Sequence, residues 1–167
     1  MPSVQKFKIE SGYKPGSIGR IAELHGSYYH AHWQFGVYFE AKVATELSEF
    51  LTRYDENRDG LWVAMENDRI EGSVVIDGIH AGSKGAHLRW FIISESLRSM
   101  GVGRMLIRKA IDFCVGKGYK QIYLWTFAGL NAARFLYEEA GFQLIKQQNG
   151  VQWGTKVNEQ YFELSLI

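Results

Sequence analysis

Cysteine occurs once in the 167 residues, at Cys114, so an intramolecular disulfide is excluded and a reducing compartment is suited. No apolar run approaches the roughly 20 residues of a membrane span, and the N-terminus shows no signal-peptide pattern. The expectation is a cytoplasmic protein that does not enter a membrane. An excess of one charge is missing too: 19 Lys and Arg stand against 18 Asp and Glu, a formal net charge of +1. Without a basic stripe there is no signal for nucleic acid, and any anion site must be local. Repeats, low-complexity tracts and linkers are absent. What remains is one domain over residues 1–167, large enough to bury roughly 70% of its unfolded surface. Metal-ligand spacing is also lacking. His30-Ala31-His32 has no Cys or carboxylate at ligand distance in sequence, so no metal is expected.

The patterning that is present alternates between strand and helix. Val4 to Glu10 reads as a first strand and stops at Ser11-Gly12. Ser17 is placed to cap a helix whose inner side carries Ile18, Ile21, Ala22, Leu24 and His25. Gly26 to Gly36 crowds Tyr28, Tyr29, His30, His32, Trp33 and Phe35 together, as a helix-to-helix connection or a pocket wall. A second helix carries Phe39, Val43, Leu47, Phe50 and Leu51 on one side. Leu61–Glu66 and Ile70–Ile76 form a hairpin through Asn67-Asp68-Arg69, and Asp77 to Gly85, with three glycines, reads as a mobile loop. Leu88 to Ile93 is near-continuously apolar, as a central strand covered on both faces would be. A helix follows with Val102, Met105, Leu106, Ala110, Phe113 and Cys114 inward, stopped by Gly116 and Gly118. Then come a strand, Gln121–Phe127, a helix, Asn131–Ala140, and the strands Phe142–Ile145 and Tyr161–Leu166. The order is β-α-α-β-β-β-α-β-α-β-β, a mixed α/β fold.

Between the apolar strand and the helix after it lies Leu97-Arg98-Ser99-Met100-Gly101-Val102-Gly103-Arg104. The first N–H groups of a helix have no intrahelical partner, and its dipole adds positive charge there. With an arginine at the entrance and two glycines, an anion can approach the backbone itself. The spacing is neither the Gly-x-Gly-x-x-Gly of a dinucleotide site nor a P-loop. Arg-x-x-Gly-x-Gly in this setting resembles motif A of the GNAT N-acetyltransferases. Asn131 to Phe142, with Tyr137 six residues after the asparagine and Gly141-Phe142 opening a strand, resembles their motif B. Leu124-Trp125-Thr126 and the Trp153-Gly154 region are most similar to GNAT domains fused behind MarR-type regulators, so the chain would correspond to the enzyme half alone.

The resemblance implies a GNAT fold: a mixed central sheet with splayed central strands, flanked by helices. It implies acetyl-CoA as co-substrate and a primary amine of a small molecule or peptide as acceptor. The N–H groups of Met100, Gly101, Val102, Gly103 and Arg104 would meet the pyrophosphate, with Arg98 at the mouth and Ser99 also in the cofactor site. Ile92 and Ile93 match the positions near a bulge where one exposed backbone N–H would bind the thioester carbonyl as an oxyanion hole. Asn131 would bond the pantetheine arm; its plainer role is an N-cap. Tyr137 would serve the departing sulfur; its plainer role is core packing. Glu95 stands where the family often has proline. For a base, His25, His87, Glu66 and Glu40 stay open, and Tyr28, Tyr29, Trp33, Trp125 and Trp153 are candidate pocket aromatics. Domains of this kind often pair, so a homodimer is admitted. The rival reading is a CoA-binding sensor that has lost turnover.

Overall fold

The computed structural model describes residues 7–167. Seven strands form one sheet in the order β1-β2-β3-β4-β5-β7-β6. They are β1 (Lys8–Ser11), β2 (Gly60–Glu66), β3 (Arg69–Asp77), β4 (Ala86–Ile93), β5 (Gln121–Phe127), β6 (Gln143–Gly150) and β7 (Val157–Ser165). Four helices complete the fold: α1 (Ser17–Trp33), α2 (Val37–Thr52), α3 (Val102–Gly116) and α4 (Asn131–Ala140). The mixed α/β order expected from the patterning is therefore observed. Of the expected first strand, Val4 to Lys6 lie outside the described residues.

Each sheet face has its own core. Ala86, Leu88, Ile122, Leu124 and Phe162 pack with Leu106, Ala110 and Cys114 of α3 and Tyr137 of α4. On the other face Ile21 of α1 and Leu47 and Phe50 of α2 meet Leu61, Val63 and Val75. An aromatic cluster of Phe35, Phe39 and Phe127 extends that face beyond β5. Along α3 the inward set differs from the expected one: Met105 is 39% exposed, while Ile107 and Ile111 are buried.

Two local readings are corrected. Ser17 does not cap α1; Gly16 holds the N-cap position in a left-handed conformation. The Ser17 hydroxyl instead donates to the Lys14 carbonyl at 2.6 Å. Nor does α1 stop at Gly26, because it continues through Tyr28, Tyr29 and His32 to Trp33. Gly26 is a packing residue there. A Cβ at this position would stand 2.6 Å from Glu40 Oε1, so the glycine lets α2 come close. The crowded aromatics thus lie mostly on a helix, which sets Tyr28 and Tyr29 one after the other along it.

The hairpin is as read, with Asn67 and Asp68 both at positive φ (51° and 61°), the primed turn that matches strand twist. Two features of β4 decide the rest. It pairs with β5 in parallel only at Ala86–Ile122 and His87–Tyr123. Against β3, Val74 faces two residues, Trp90 and Phe91, where the register shifts. That β-bulge puts Trp90 at φ 45°. Beyond His87 the two central strands separate, and backbone groups that would have joined them face the gap.

Candidate active site

A cavity of about 1010 Å³ fills the gap between the diverging strands. Its floor is β4 from His87 to Ile93 and β5 from Leu124 to Phe127; α1, α2, the start of α3 and α4 supply the walls. Leu97, fully buried, anchors the chain between β4 and α3. From there Ser99 and Gly101 both take positive φ (63° and 76°), which folds the turn back onto the helix axis. Gly101 is the N-cap of α3 and no side chain caps the helix. The first intrahelical bond runs from Met105 N to Gly101 O at 3.1 Å, which leaves the N–H groups of Val102, Gly103 and Arg104 without helical partners.

The two glycines do different work. Gly101 is open around its missing Cβ and is required by its φ. At Gly103 a Cβ would lie 2.9 Å from Leu136 Cδ1 and 3.3 Å from Phe91 Cζ, so that glycine lets β4, α3 and α4 meet beside the cavity. Arg98 is exposed, with its guanidinium 4.8 Å from the centre of the Tyr28 ring.

A family model described as the acetyltransferase (GNAT) family matches residues 20–142, well over half of the chain. The chain belongs to the GNAT family. Among curated proteins, human N-acetylaspartate synthetase is 26% identical over 117 residues, 70% of this chain and 38% of that protein. Human N-acetyltransferase 8 is 24% identical over 124 residues, 72% of this chain and 55% of that protein. The chain thus spans only about half the length, or less, of these relatives. Among solved structures, an acetyltransferase of Streptococcus agalactiae superposes with TM-score 0.75 at 19% identity, covering 98% of this chain and 100% of that one. A Salmonella typhimurium protein solved with its cofactor acetyl-CoA gives TM-score 0.75 at 16% identity, covering 98% and 95%. Both share the GNAT fold.

The GNAT cavity gathers Ile92, Ile93, Arg98, Ser99, Gly101, Val102, Gly103, Arg104, Asn131 and Tyr137 in its lining. Met100 is not brought in; it is 38% exposed and outside the lining. The Arg104 guanidinium is engaged by both carboxylate oxygens of Glu139, one at 2.9 Å. Asn131 is the first residue of α4, after an N-cap at Leu130, and makes no capping bond. Its plainer role as a cap is therefore not taken up.

Tyr137 is 6% exposed and packs against Phe91, Phe142 and Phe162 at ring-centre distances of 5.9, 5.8 and 6.2 Å. Among the described residues its hydroxyl has no hydrogen-bond partner. Burial, with a smaller contribution from the nearby Tyr29, pushes its pKa well above the ordinary phenol value. It stays protonated and is a donor.

Of the four candidate bases, His25 and His87 line the cavity while Glu66 and Glu40 do not. His25 Nδ1 lies 2.8 Å from the Ile21 carbonyl, which accepts only from a protonated nitrogen, so the lone pair belongs to Nε2. Burial lowers its pKa to about 4. His87 stacks on Tyr123 at 4.4 Å; burial and then Arg89 lower it to about 3. Both are neutral near pH 7.

Of the expected aromatics, Tyr28, Tyr29, Trp125 and Trp153 line the cavity and Trp33 does not. His30 and His32 are occupied separately, His30 with the Phe35 carbonyl at 3.0 Å and His32 against the Tyr28 ring at 4.5 Å. Among the described residues no three His, Cys, Asp or Glu side chains converge as a metal site, and no helix is long and apolar enough to cross a membrane. Cys114 is in the core, its thiol pushed up to about 12 by burial.

Sequence reading missed Trp90, Lys42, Glu46 and Arg89, all in the lining. Arg89 carried a signal, a lone charge inside an otherwise apolar strand. The others had none, since they are brought to the site from separate elements.

Proposed function

We propose that this chain transfers the acetyl group of acetyl-CoA to the primary amine of a small molecule or peptide. One observation carries the reading: an uncapped helix start, a gap between parallel strands and a buried tyrosine donor all open on one cavity. Acetyl-CoA supplies an activated acyl group and a diphosphate. In this reading the free N–H groups of Val102, Gly103 and Arg104 hold the diphosphate at the helix start, with Ser99, Gly101 and Arg98 alongside. Asn131, with its amide free, holds the pantetheine arm. The backbone N–H of Ile93, which points away from β3 into the gap where β4 leaves β5, holds the thioester carbonyl oxygen as charge builds on it, while the N–H of Ile92 is turned to Ser73 of β3.

Transfer forms a C–N bond to the amine and breaks the C–S bond of the thioester. The amine loses one proton and the sulfur gains one. A primary amine of pKa about 10.4 is neutral in about one molecule per 2500 at pH 7, so the site must favour that form. The amine proton passes to solvent, with the neutral His25 Nε2 or His87 accepting a hydrogen bond from the amine or an intervening water without keeping the proton, and the Tyr137 hydroxyl donates a hydrogen bond to the departing sulfur.

Calorimetric titration with CoA, combined with CoA-thiol release from acetyl-CoA across a panel of amines, tests the proposal. Binding and amine-dependent release are expected, with binding unchanged after chelation. CoA binding without release for any amine would favour the sensor reading instead.

A further inference from the structure

The cavity has charged groups at both ends, and only one set is accounted for by a diphosphate. Arg98 and the helix start stand at the Ile93 end of β4. Arg89 lies four residues back along the strand, on the order of 12 Å away at about 3.3 Å per residue. It is beyond the reach of the group bound at the glycine turn. Lys42 and Glu46 of α2 join Arg89 there and also line the cavity.

These side chains belong to an alternating chain of charges. Arg53 pairs with Asp77 at 2.6 Å, Asp77 with Arg89 at 3.5 Å, Arg89 with Glu46 Oε1 at 3.1 Å, and Glu46 Oε2 with Lys42 at 3.2 Å. Three cations share two carboxylates, which leaves a surplus of one positive charge. Asp77 and Arg53 lie outside the lining, and among the described residues Glu46 is the sole carboxylate that faces the cavity. His87, beside Arg89 on the same strand face, is neutral and adds nothing to the balance. The surplus therefore falls on the cavity side.

The geometry is already that of a carboxylate site. Glu46 places one oxygen on Arg89 and the other on Lys42, so two cations are spaced to bracket a carboxylate. Arg89 is also held in place, its guanidinium 4.1 Å from the centre of the Trp90 ring and its side chain 19% exposed. A cation fixed before binding loses little freedom when an anion arrives.

We propose that Arg89 and Lys42 bind a carboxylate of the acceptor, so the acceptor is an amine that also carries a carboxylate. The proposal rests on the acetyl-transfer reading above and narrows its substrate class. Polyamines and other polycationic amines are disfavoured, because only one carboxylate faces the cavity and two cations already share it.

The test compares amino acids with their own carboxamides, and with spermidine, by CoA-thiol release at saturating acetyl-CoA. An amide's amine loses its proton more readily, so chemistry alone favours the amide, and any preference for the acid reports recognition. The best acid is expected to exceed its amide at least tenfold in kcat/KM. Lys42→Gln should shrink that ratio severalfold through KM, and Arg89→Gln should shrink it further. Glu46→Gln should raise it, because it removes the competing carboxylate from between the two cations. A merely structural ion pair gives no such opposite signs. Lys42 and Glu46 are each about one-third exposed on α2, so their variants keep the test intact if Arg89→Gln fails to fold. Amides or spermidine used as well as the acids, or a ratio unmoved in both the Lys42 and Glu46 variants, would overturn the proposal alone. Absence of release with every amine would overturn the transferase reading and this one with it.

Discussion

The Ser73 hydroxyl donates to the backbone carbonyl of Trp90 at 2.7 Å, across the two strands where β4 bulges. Ser73 is fully buried, and Trp90 at φ 45° holds a backbone conformation that a large side chain rarely adopts. The bond ties down the strained residue of the bulge, which lies in the part of β4 that has already left β5. Ser73→Ala removes the donor and leaves a buried carbonyl one bond short. A loss of about 1–3 kcal/mol in stability is expected, read by denaturant titration. If the bulge positions the N–H group of Ile93, kcat should fall more than CoA affinity does. Equal losses in both would mean that Ser73 supports the fold without aligning the site.

Tyr137→Phe keeps the ring among Phe91, Phe142 and Phe162 and removes the hydroxyl alone. Since that hydroxyl makes no bond within the described residues, melting should be nearly unchanged. kcat is expected to fall by roughly 10²-fold, at the lower end of general-acid effects, with little change in KM for acetyl-CoA. Near wild-type turnover would remove Tyr137 from the reaction and leave sulfur protonation to water.

At the glycine turn, Gly101 is the informative position, because a Cβ there meets nothing within 4 Å whereas one at Gly103 strikes Leu136. Asparagine tolerates the φ of 76° better than most residues, and aspartate differs from it only in charge. Gly101→Asp should weaken CoA binding by roughly tenfold or more relative to Gly101→Asn, as a negative charge at a helix start competes with phosphate. Calorimetry on both variants decides it, and equal affinities would show that no anion is held there.

Acid should destabilise the fold through two histidines. His25 and His87 have folded-state pKa values of about 4 and about 3, below the ordinary 6.5. Above about pH 6.5 both are neutral in the folded and unfolded chain and contribute no pH dependence. As pH falls below 6.5 the unfolded chain takes up protons that the folded one refuses. Stability drops by roughly 1.4 kcal/mol per pH unit for each histidine, until about pH 4 for His25 and about pH 3 for His87. Melting curves from pH 8 to pH 5 should show a plateau followed by a decline, and His25→Gln should make the decline shallower. A melting temperature flat to pH 5 would contradict the neutral state of the buried His25 and the partly buried His87.

The strand-helix order and the glycine turn were legible in the sequence because they are written in local chemistry. Alternation and helical spacing report which face of an element is buried. Positive φ and an open helix start demand glycine at set positions, and Gly101 shows this directly. Motif spacing likewise located Asn131 and Tyr137 on one helix. Local signals misled where a residue answers to a distant partner: Gly26 looks like a helix stop, yet it is small because Glu40 of α2 passes beside it. Asn131 looks like a cap, yet the turn before it places Leu130 there. The side-chain partner of Arg104 left no mark in the sequence either, because Glu139 is brought across from α4 to hold it. The shape of the cavity was decided by the tertiary structure alone. β4 separates from β5 beyond His87 and bulges against Val74 of β3, and one end of the gap is charged by residues from α2 and β4 that are more than 40 positions apart in sequence. No periodicity records such a meeting, because it is packing of whole elements that brings Lys42, Glu46 and Arg89 together.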